Sequence, residues 1–265
     1  MASPVITLLS DFGLQDQYVG IMKGVILQIC PAARLVDICH LIGPQEIRSA
    51  AFLLYASHTY FPPGTIHLAV VDPDVGTDRR AVVLKAGGCF FVGPDNGLFS
   101  LILKGKTDWE ARVLENEQLR RNPVSSTFHG RDIFAPAAAH LAAGVSFENF
   151  GAPCGLISTS WGEPALGKDT IEGEVIHIDR FGNAVTNVDI AILQKRAPAR
   201  SWTVRTAGVS VLLAKTYAMV KPGEALGLAG SAGFIEIAIN RGNAASKLGL
   251  RPGTPVKFRL LNPSG

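Results

Sequence analysis

A chain of 265 residues that is 47% hydrophobic and 18% charged can bury a large core, which excludes a disordered polymer. Its formal charge of +3 is small for the length, and Lys and Arg form no long run, so the footprint of a nucleic-acid binder is missing. No apolar stretch approaches the ~18 residues of a membrane span, and no membrane partner is expected.

The first ~150 residues alternate strand and helix signals, as in an α/β layer structure with a mainly parallel central sheet. Ile6-Thr7-Leu8-Leu9 reads as a strand that ends at Ser10-Asp11-Phe12-Gly13. Val19, Met22, Val25, Ile26 and Ile29 recur at helical spacing, and Pro31 closes that helix. A strand at Leu35-Val36-Asp37-Ile38 and a helical pattern over 47–60 follow. The apolar run His67-Leu68-Ala69-Val70-Val71 then breaks into Asp72-Pro73-Asp74-Val75-Gly76-Thr77-Asp78-Arg79-Arg80. Further strands are expected at 81–84 and 89–92, the latter ending in Gly93-Pro94-Asp95-Asn96-Gly97. Phe128-His129-Gly130-Arg131-Asp132 precedes an Ala-rich helix over 133–143, with Pro136 tolerable in its first turn and Asp132 as its simplest N-cap.

Over 158–170 the composition shifts to Gly, Ser, Pro and Trp, which suggests a linker. Beyond it the helical period disappears. Strand patterns at 174–178, 209–213, 235–239 and 256–260, separated by Gly/Asn turns, predict an all-β barrel-like or sandwich unit. The expected division is an α/β N-terminal domain over 1–160, a linker over 161–170 and a C-terminal β-barrel domain over 171–265. Val5 begins a strand with no basic segment or cleavage site before it. Cys30, Cys39, Cys89 and Cys154 show no C-x-x-C spacing. Both features point to a cytoplasmic protein with free thiols.

Asp11, Asp72 and Asp95 each follow an apolar strand. If those strands are parallel, the three carboxylates gather on the sheet edge where α/β proteins bind ligands. Each alone also reads as an ordinary turn or cap residue, and the three together could hold a divalent cation, as in a metal-dependent phosphoesterase. Arg79, seven residues after Asp72, can return across the turn as an ion-pair partner, whereas Arg80 suits a surface salt bridge. His129 stands before a helix start, where the local field favours a neutral imidazole that passes on a proton or polarises water. In the C-terminal part, Asp179-Arg180-Phe181-Gly182-Asn183 forms a turn whose aromatic and amide groups can stack on a heterocycle and read its edge, or simply close a β-turn.

These segments, with Tyr18-Val19-Gly20-Ile21-Met22-Lys23-Gly24 and Gly230-Ser231-Ala232-Gly233, resemble the S-adenosyl-L-methionine hydroxide adenosyltransferase family, relatives of the fluorinases and chlorinases. The resemblance spans nearly the whole chain in the family's order. It implies an α/β domain followed by a β-barrel domain, and a homotrimer with active sites between neighbouring subunits. It also implies a catalytic set of Asp72, Arg79 and His129. The halogenating relatives have tyrosine at the place of Asp72 and small residues at the place of His129 and Gly130, so this set favours water over halide. Asp74 departs from the pattern, which has glycine there.

By the same resemblance, Asp11 holds the ribose hydroxyls, and Phe128, Phe181 and Tyr217 enclose the adenosine. Asn183 and Asp179 supply polar contacts, and Ser231 lies near the methionine end. The implied reaction is hydrolysis of S-adenosyl-L-methionine to adenosine and L-methionine, with no metal and no cofactor beyond the substrate. A halogenase and a non-catalytic adenosine or S-adenosylmethionine sensor are the alternatives. Which of Asp72 and His129 takes the water proton stays open at this level.

Overall fold

The structure is a computed structural model that describes residues 3–197 and 202–261. The chain divides into two compact units, Met1–Thr159 and Ser160–Gly265. Among the described residues, no helix is long and apolar enough to cross a membrane.

The first unit is built on β1 (Val5–Ser10), α1 (Tyr18–Ile29), β2 (Arg34–Cys39), α2 (Ile47–His58), β3 (Ile66–Val70), β4 (Ala81–Ala86) and β5 (Cys89–Pro94). It continues through α3 (Ser100–Leu103), β6 (Trp109–Val113), α4 (Ala135–Ala142) and the short β7 (Pro153–Cys154). The strands form one mixed sheet in the order β2-β1-β3-β5-β4-β6-β7. The β2-β1-β3-β5 half is parallel, whereas β4, β6 and β7 are joined antiparallel. The expectation of parallel strands therefore describes the half that carries Asp11, Asp72 and Asp95.

Side chains alternate across the strands with period two. Ile6, Leu8, Ile66, Leu68 and Val70 face a core completed by Met22, Val25 and Ile26 of α1 and by Ala135, Ala137, Ala138 and Ala139 of α4. The small alanine side chains let α4 lie close on its neighbours. The intervening positions Thr7 and His67 face the other side, where His67 stacks on Phe91 and meets His58 of α2 edge-on. Both faces are thus covered, as a parallel sheet requires.

The second unit contains β8 (Ala165–Leu166), β9 (Thr170–Ile178), β10 (Ala184–Asp189), α5 (Ile190–Arg196), β11 (Trp202–Thr206), β12 (Val209–Leu212), β13 (Ala225–Ala229), β14 (Phe234–Ile239), α6 (Ala244–Leu248) and β15 (Pro255–Leu260). Its sheet is antiparallel in the order β12-β11-β15-β9-β10-β14-β13, with β8 paired to β9. The ends approach each other, since the Ala214 N–H donates to the Gly227 carbonyl at 2.8 Å. A side chain at Gly227 would collide with Leu213, so glycine allows this seam. The result is a nearly closed barrel-like sheet around Val175, Val204, Ile235, Ile237 and Phe258.

Two details differ from the pattern reading. The second unit is not free of helix: α5 starts at Asp189, whose side chain accepts from the Ala191 N–H, and α6 at Asn243, which accepts from the Ser246 N–H. Both are too short to show a helical period, and the cap residues are the signal they leave. The start of the Ala-rich helix is a π turn over Gly130–Phe134. Asp132 lies inside it and is not a cap. Its fully buried carboxylate accepts from Arg131 Nε and Nη2, each at 2.7 Å, and from the Ser125 N–H at 2.9 Å.

Candidate active site

Because β1, β3 and β5 are parallel neighbours, Asp11, Asp72 and Asp95 leave the same edge of the sheet. Their partners then separate them. After β3 the chain turns through 72–79, closed by the Val75 N–H on the Asp72 carbonyl and by the Thr77 N–H and hydroxyl on the Asp74 carbonyl. Gly76 has φ +82° and sits so close to the Ser126 carbonyl that any side chain would collide with it. The turn brings Arg79 back onto Asp72. Arg79 Nε donates to Asp72 Oδ1 at 2.8 Å and Nη2 donates to Oδ2 at 2.5 Å, a two-pronged pair with both side chains nearly buried.

Arg79 Nη2 also donates to His129 Nδ1 at 2.7 Å. A guanidinium has no acceptor, so Nδ1 accepts and the imidazole proton resides on Nε2. Burial, reinforced by the charge of Arg79, holds the His129 pKa below the usual histidine value. His129 is therefore a neutral ring that presents an N–H. The guanidinium rests on the face of Phe134, 5.1 Å from the ring centre, which helps hold the fork in place.

Asp11 follows β1. Its Oδ2 accepts the Gln45 N–H at 2.9 Å, and its pKa is raised by burial and further by the charge of Asp72. Phe128 joins Phe12 and Tyr18 in an aromatic cluster with ring centres 5.2–5.9 Å apart. Phe12 and Tyr18 belong to this wall although pattern alone assigned them no role. The structure thus brings together Asp72, Arg79 and His129, with Asp11 beside Asp72 and Phe128 next to His129.

Asp95 is engaged elsewhere. Arg80 donates to its Oδ2 from Nη2 at 2.5 Å and from Nε at 3.0 Å, and the Ile157 N–H donates to Oδ1 at 2.8 Å. Arg80 is partly exposed, but its partner is buried. The pair is an anchor for the 155–157 segment. With Asp72 and Asp95 each paired to an arginine, the carboxylates do not converge on a common point, and among the described residues no group of three ligand-type side chains could hold a metal ion. Asp74 is exposed, and its backbone carbonyl serves the turn.

The C-terminal candidates form a second constellation on the turn between β9 and β10. Asp179 Oδ1 accepts the Phe181 and Asn183 N–H groups at 2.9 and 2.8 Å, and Oδ2 accepts from Asn183 Nδ2 at 2.8 Å. Asn183 Nδ2 also reaches the Tyr217 hydroxyl at 3.3 Å. Asp179 thereby shapes the turn and aims Asn183, while Phe181, 76% exposed, stands free at its tip. Glu236 of β14 was not singled out by pattern. Its pKa is raised by burial and then by the Asp179 charge, and its own charge raises the pKa of Tyr217, which is already raised by burial. Ser231 is exposed on the turn joining β13 and β14.

The profile of the SAM hydroxide adenosyltransferase N-terminal domain matches residues 6–151, and that of the C-terminal domain matches residues 173–257. The chain belongs to the SAM hydroxide adenosyltransferase family. It is 42% identical to the (R)-S-adenosyl-L-methionine hydrolase of Thermus thermophilus, covering 94% of this chain and 97% of that protein. It is 35% identical to the protein of the same name from Salinispora arenicola, covering 97% and 98%. A crystal structure of a conserved Thermotoga maritima protein matches with a TM-score of 0.87 at 37% identity, covering 96% of this chain and 99% of that one. The first matched range spans Asp11, Asp72, Arg79, Phe128 and His129, and the second spans Asp179, Phe181, Asn183, Tyr217 and Ser231.

Proposed function

We propose that this protein hydrolyses S-adenosyl-L-methionine to adenosine and L-methionine. The observation that carries the mechanism is the Asp72–Arg79–His129 arrangement, in which one guanidinium orients both a carboxylate and a neutral imidazole. Membership of the family and the names of its hydrolase relatives support the substrate.

Attack at the ribose C5′ forms a carbon–oxygen bond as the carbon–sulfur bond breaks, and its electron pair returns to sulfur. The sulfonium leaves as a neutral thioether and needs no acid. What the reaction needs is a water held in line with the breaking bond. His129 Nε2–H donates to the oxygen of that water and steadies its orientation. Its other nitrogen is occupied by Arg79, so the proton lost by the water goes to Asp72, which retains free lone pairs on both oxygens. This division of roles favours Asp72 as the base. A dry pocket then strengthens the attraction between the negatively charged oxygen and the sulfonium.

Asp11 binds the ribose hydroxyls, using acceptor positions that Gln45 leaves open. Phe128, Phe181 and Tyr217 enclose the adenosine, Asn183 and Asp179 meet its polar edge, and Ser231 lies toward the methionine. The protein acts in the cytoplasm as a homotrimer with active sites between neighbouring subunits. It needs no metal or added cofactor and binds neither nucleic acid nor membrane.

Incubating the purified protein with S-adenosylmethionine, with and without halide and chelator, and weighing the products tests this reading. Adenosine and methionine are expected in every case, and Asp72→Ala should slow their release by about 10²–10⁴-fold. A 5′-halo-adenosine would establish a halogenase, ligand retention without turnover a sensor, and loss of activity with chelator a metal enzyme.

A further inference from the structure

A second polar chain runs behind Asp11. Lys23 Nζ donates to Asp37 Oδ2 at 2.6 Å, His40 Nε2 lies 3.1 Å from Asp37 Oδ1, and His40 Nδ1 lies 2.7 Å from the Ser10 hydroxyl. With Nε2–H directed at the carboxylate, Nδ1 of a neutral ring accepts the Ser10 proton. The Ser10 oxygen is then left to accept the Phe12 N–H at 3.4 Å. Ser10 and His40 are almost completely buried, and Asp37 and Lys23 lead to the surface.

The order Ser–His–Asp is that of a nucleophilic triad, but this serine cannot act as one. It is 0% exposed, and its hydroxyl already donates to one protein group and accepts from another. What the chain touches is the backbone around Asp11. His40 holds Ser10 with its ring on one side of Asp11, and its carbonyl accepts the Gly13 N–H at 2.8 Å on the other. The same 40–45 loop supplies the Gln45 N–H to the Asp11 carboxylate, with Gln45 itself at φ +67°. Three hydrogen bonds from one loop thus bracket a carboxylate that burial and Asp72 both work against.

We infer that His40 is a positioning residue for Asp11, acting through Ser10 and Gly13 to set the carboxylate against the ribose diol of the substrate. The inference rests on the reading of Asp11 as the ribose-binding group. A carboxylate that grips a vicinal diol must keep two acceptor positions at a set spacing, so a small rotation of Asp11 sacrifices diol recognition while leaving the water site near Asp72 in place. The signature is a loss of discrimination and a rise in KM larger than the fall in kcat.

The test compares S-adenosylmethionine with its 2′-deoxy and 3′-deoxy analogues in wild type, Asp11→Asn, Ser10→Ala, His40→Leu, His40→Asn and Asp37→Ala. Wild type should prefer the diol by tenfold or more in kcat/KM, and Asp11→Asn should abolish most of that preference. Ser10→Ala and His40→Leu should reduce it at least threefold, chiefly through KM. His40→Asn, which keeps an acceptor for Ser10, should restore part of it. Asp37→Ala lies at the partly exposed end of the chain and should show a smaller change in the same direction, which keeps the test decisive if the buried variants fail to fold. Wild-type discrimination in every folded variant other than Asp11→Asn would overturn the inference alone. Unchanged discrimination in Asp11→Asn would instead overturn the ribose role of Asp11, and this inference with it.

Discussion

Asp72 and His129 meet at a single nitrogen, Arg79 Nη2, which lies 2.5 Å from Asp72 Oδ2 and 2.7 Å from His129 Nδ1. Neither residue orients itself; one guanidinium sets the directions of both. Arg79→Lys keeps the charge but replaces the planar fork with a single point donor. It should lower kcat by about 10²-fold or more, within the range for losing a positioned acid–base group, with a much smaller effect on KM. Steady-state kinetics on purified Arg79→Lys and Arg79→Ala check this, and equal activity of wild type and Arg79→Lys would contradict the shared-fork arrangement.

The lowered pKa of His129 sets the sign of the pH dependence. Its working form is neutral, and protonation would bring a second cation against Arg79 and remove the Nδ1 acceptor. Activity should therefore be level through neutral pH and fall only on the acid side, with the limb below the ordinary histidine value of about 6.5. A kcat/KM profile measures it. Activity that instead falls as the pH rises through the histidine range would mean that His129 works as a cation.

Phe181 is predicted to act in binding alone. It is 76% exposed on a turn that Asp179 holds, so Phe181→Ala removes a stacking surface without opening the core. KM should rise by about tenfold, consistent with the ~1–3 kcal/mol of a base–aromatic stack, while the thermal midpoint stays near wild type. Kinetics and thermal unfolding on the same sample separate the two effects.

His67 governs stability rather than turnover. It is fully buried against Phe91, Nδ1 lies 2.8 Å from the Thr7 hydroxyl, and Nε2 has no hydrogen-bond partner among the described residues. Burial, aided by the charge of His58, lowers its pKa to about 4. The unfolded chain takes up this proton near 6.5 and the folded chain only near 4, so the stabilising contribution is complete above about 6.5 and is lost as the pH falls toward 4. Over that window, His67 removes on the order of 3 kcal/mol. His58, His140 and His177 are shifted downward as well and add to the slope. Urea unfolding of wild type and His67→Phe at several pH values checks this, and the variant should show the shallower loss.

Much of the sheet edge that carries the candidate site was legible because its signals are local. An apolar run ending in Asp, Pro and Gly marks a strand end, and a seven-residue return suffices to place Arg79 on Asp72. Parallel strands then carry Asp11 to the same edge. What was not legible depends on partners that only the folded backbone selects. Asp95 meets Arg80 across a pair of antiparallel strands, β4 and β5. Asp132 reads as a helix cap until Arg131, Arg121 and Ser125 close around it. The Ser10–His40–Asp37–Lys23 chain links three segments, 10, 23 and 37–40, and leaves no spacing rule behind. In the second unit, alternation revealed strands at 235–239 and 256–260, but the barrel seam rests on Gly227 and its pairing with Leu213 and Ala214, which no alternation marks.

In the proposed reaction water is the nucleophile at the ribose C5′, and Asp72 takes its proton. Turnover of S-adenosylmethionine in water enriched with heavy oxygen, followed by mass analysis of both products, tests it most directly. One heavy oxygen on the 5′ position of adenosine, none added to methionine, and near-complete loss of labelled adenosine in Asp72→Ala are the predicted results. Unlabelled adenosine, label in methionine instead, or undiminished labelled product from Asp72→Ala would rule this reaction out.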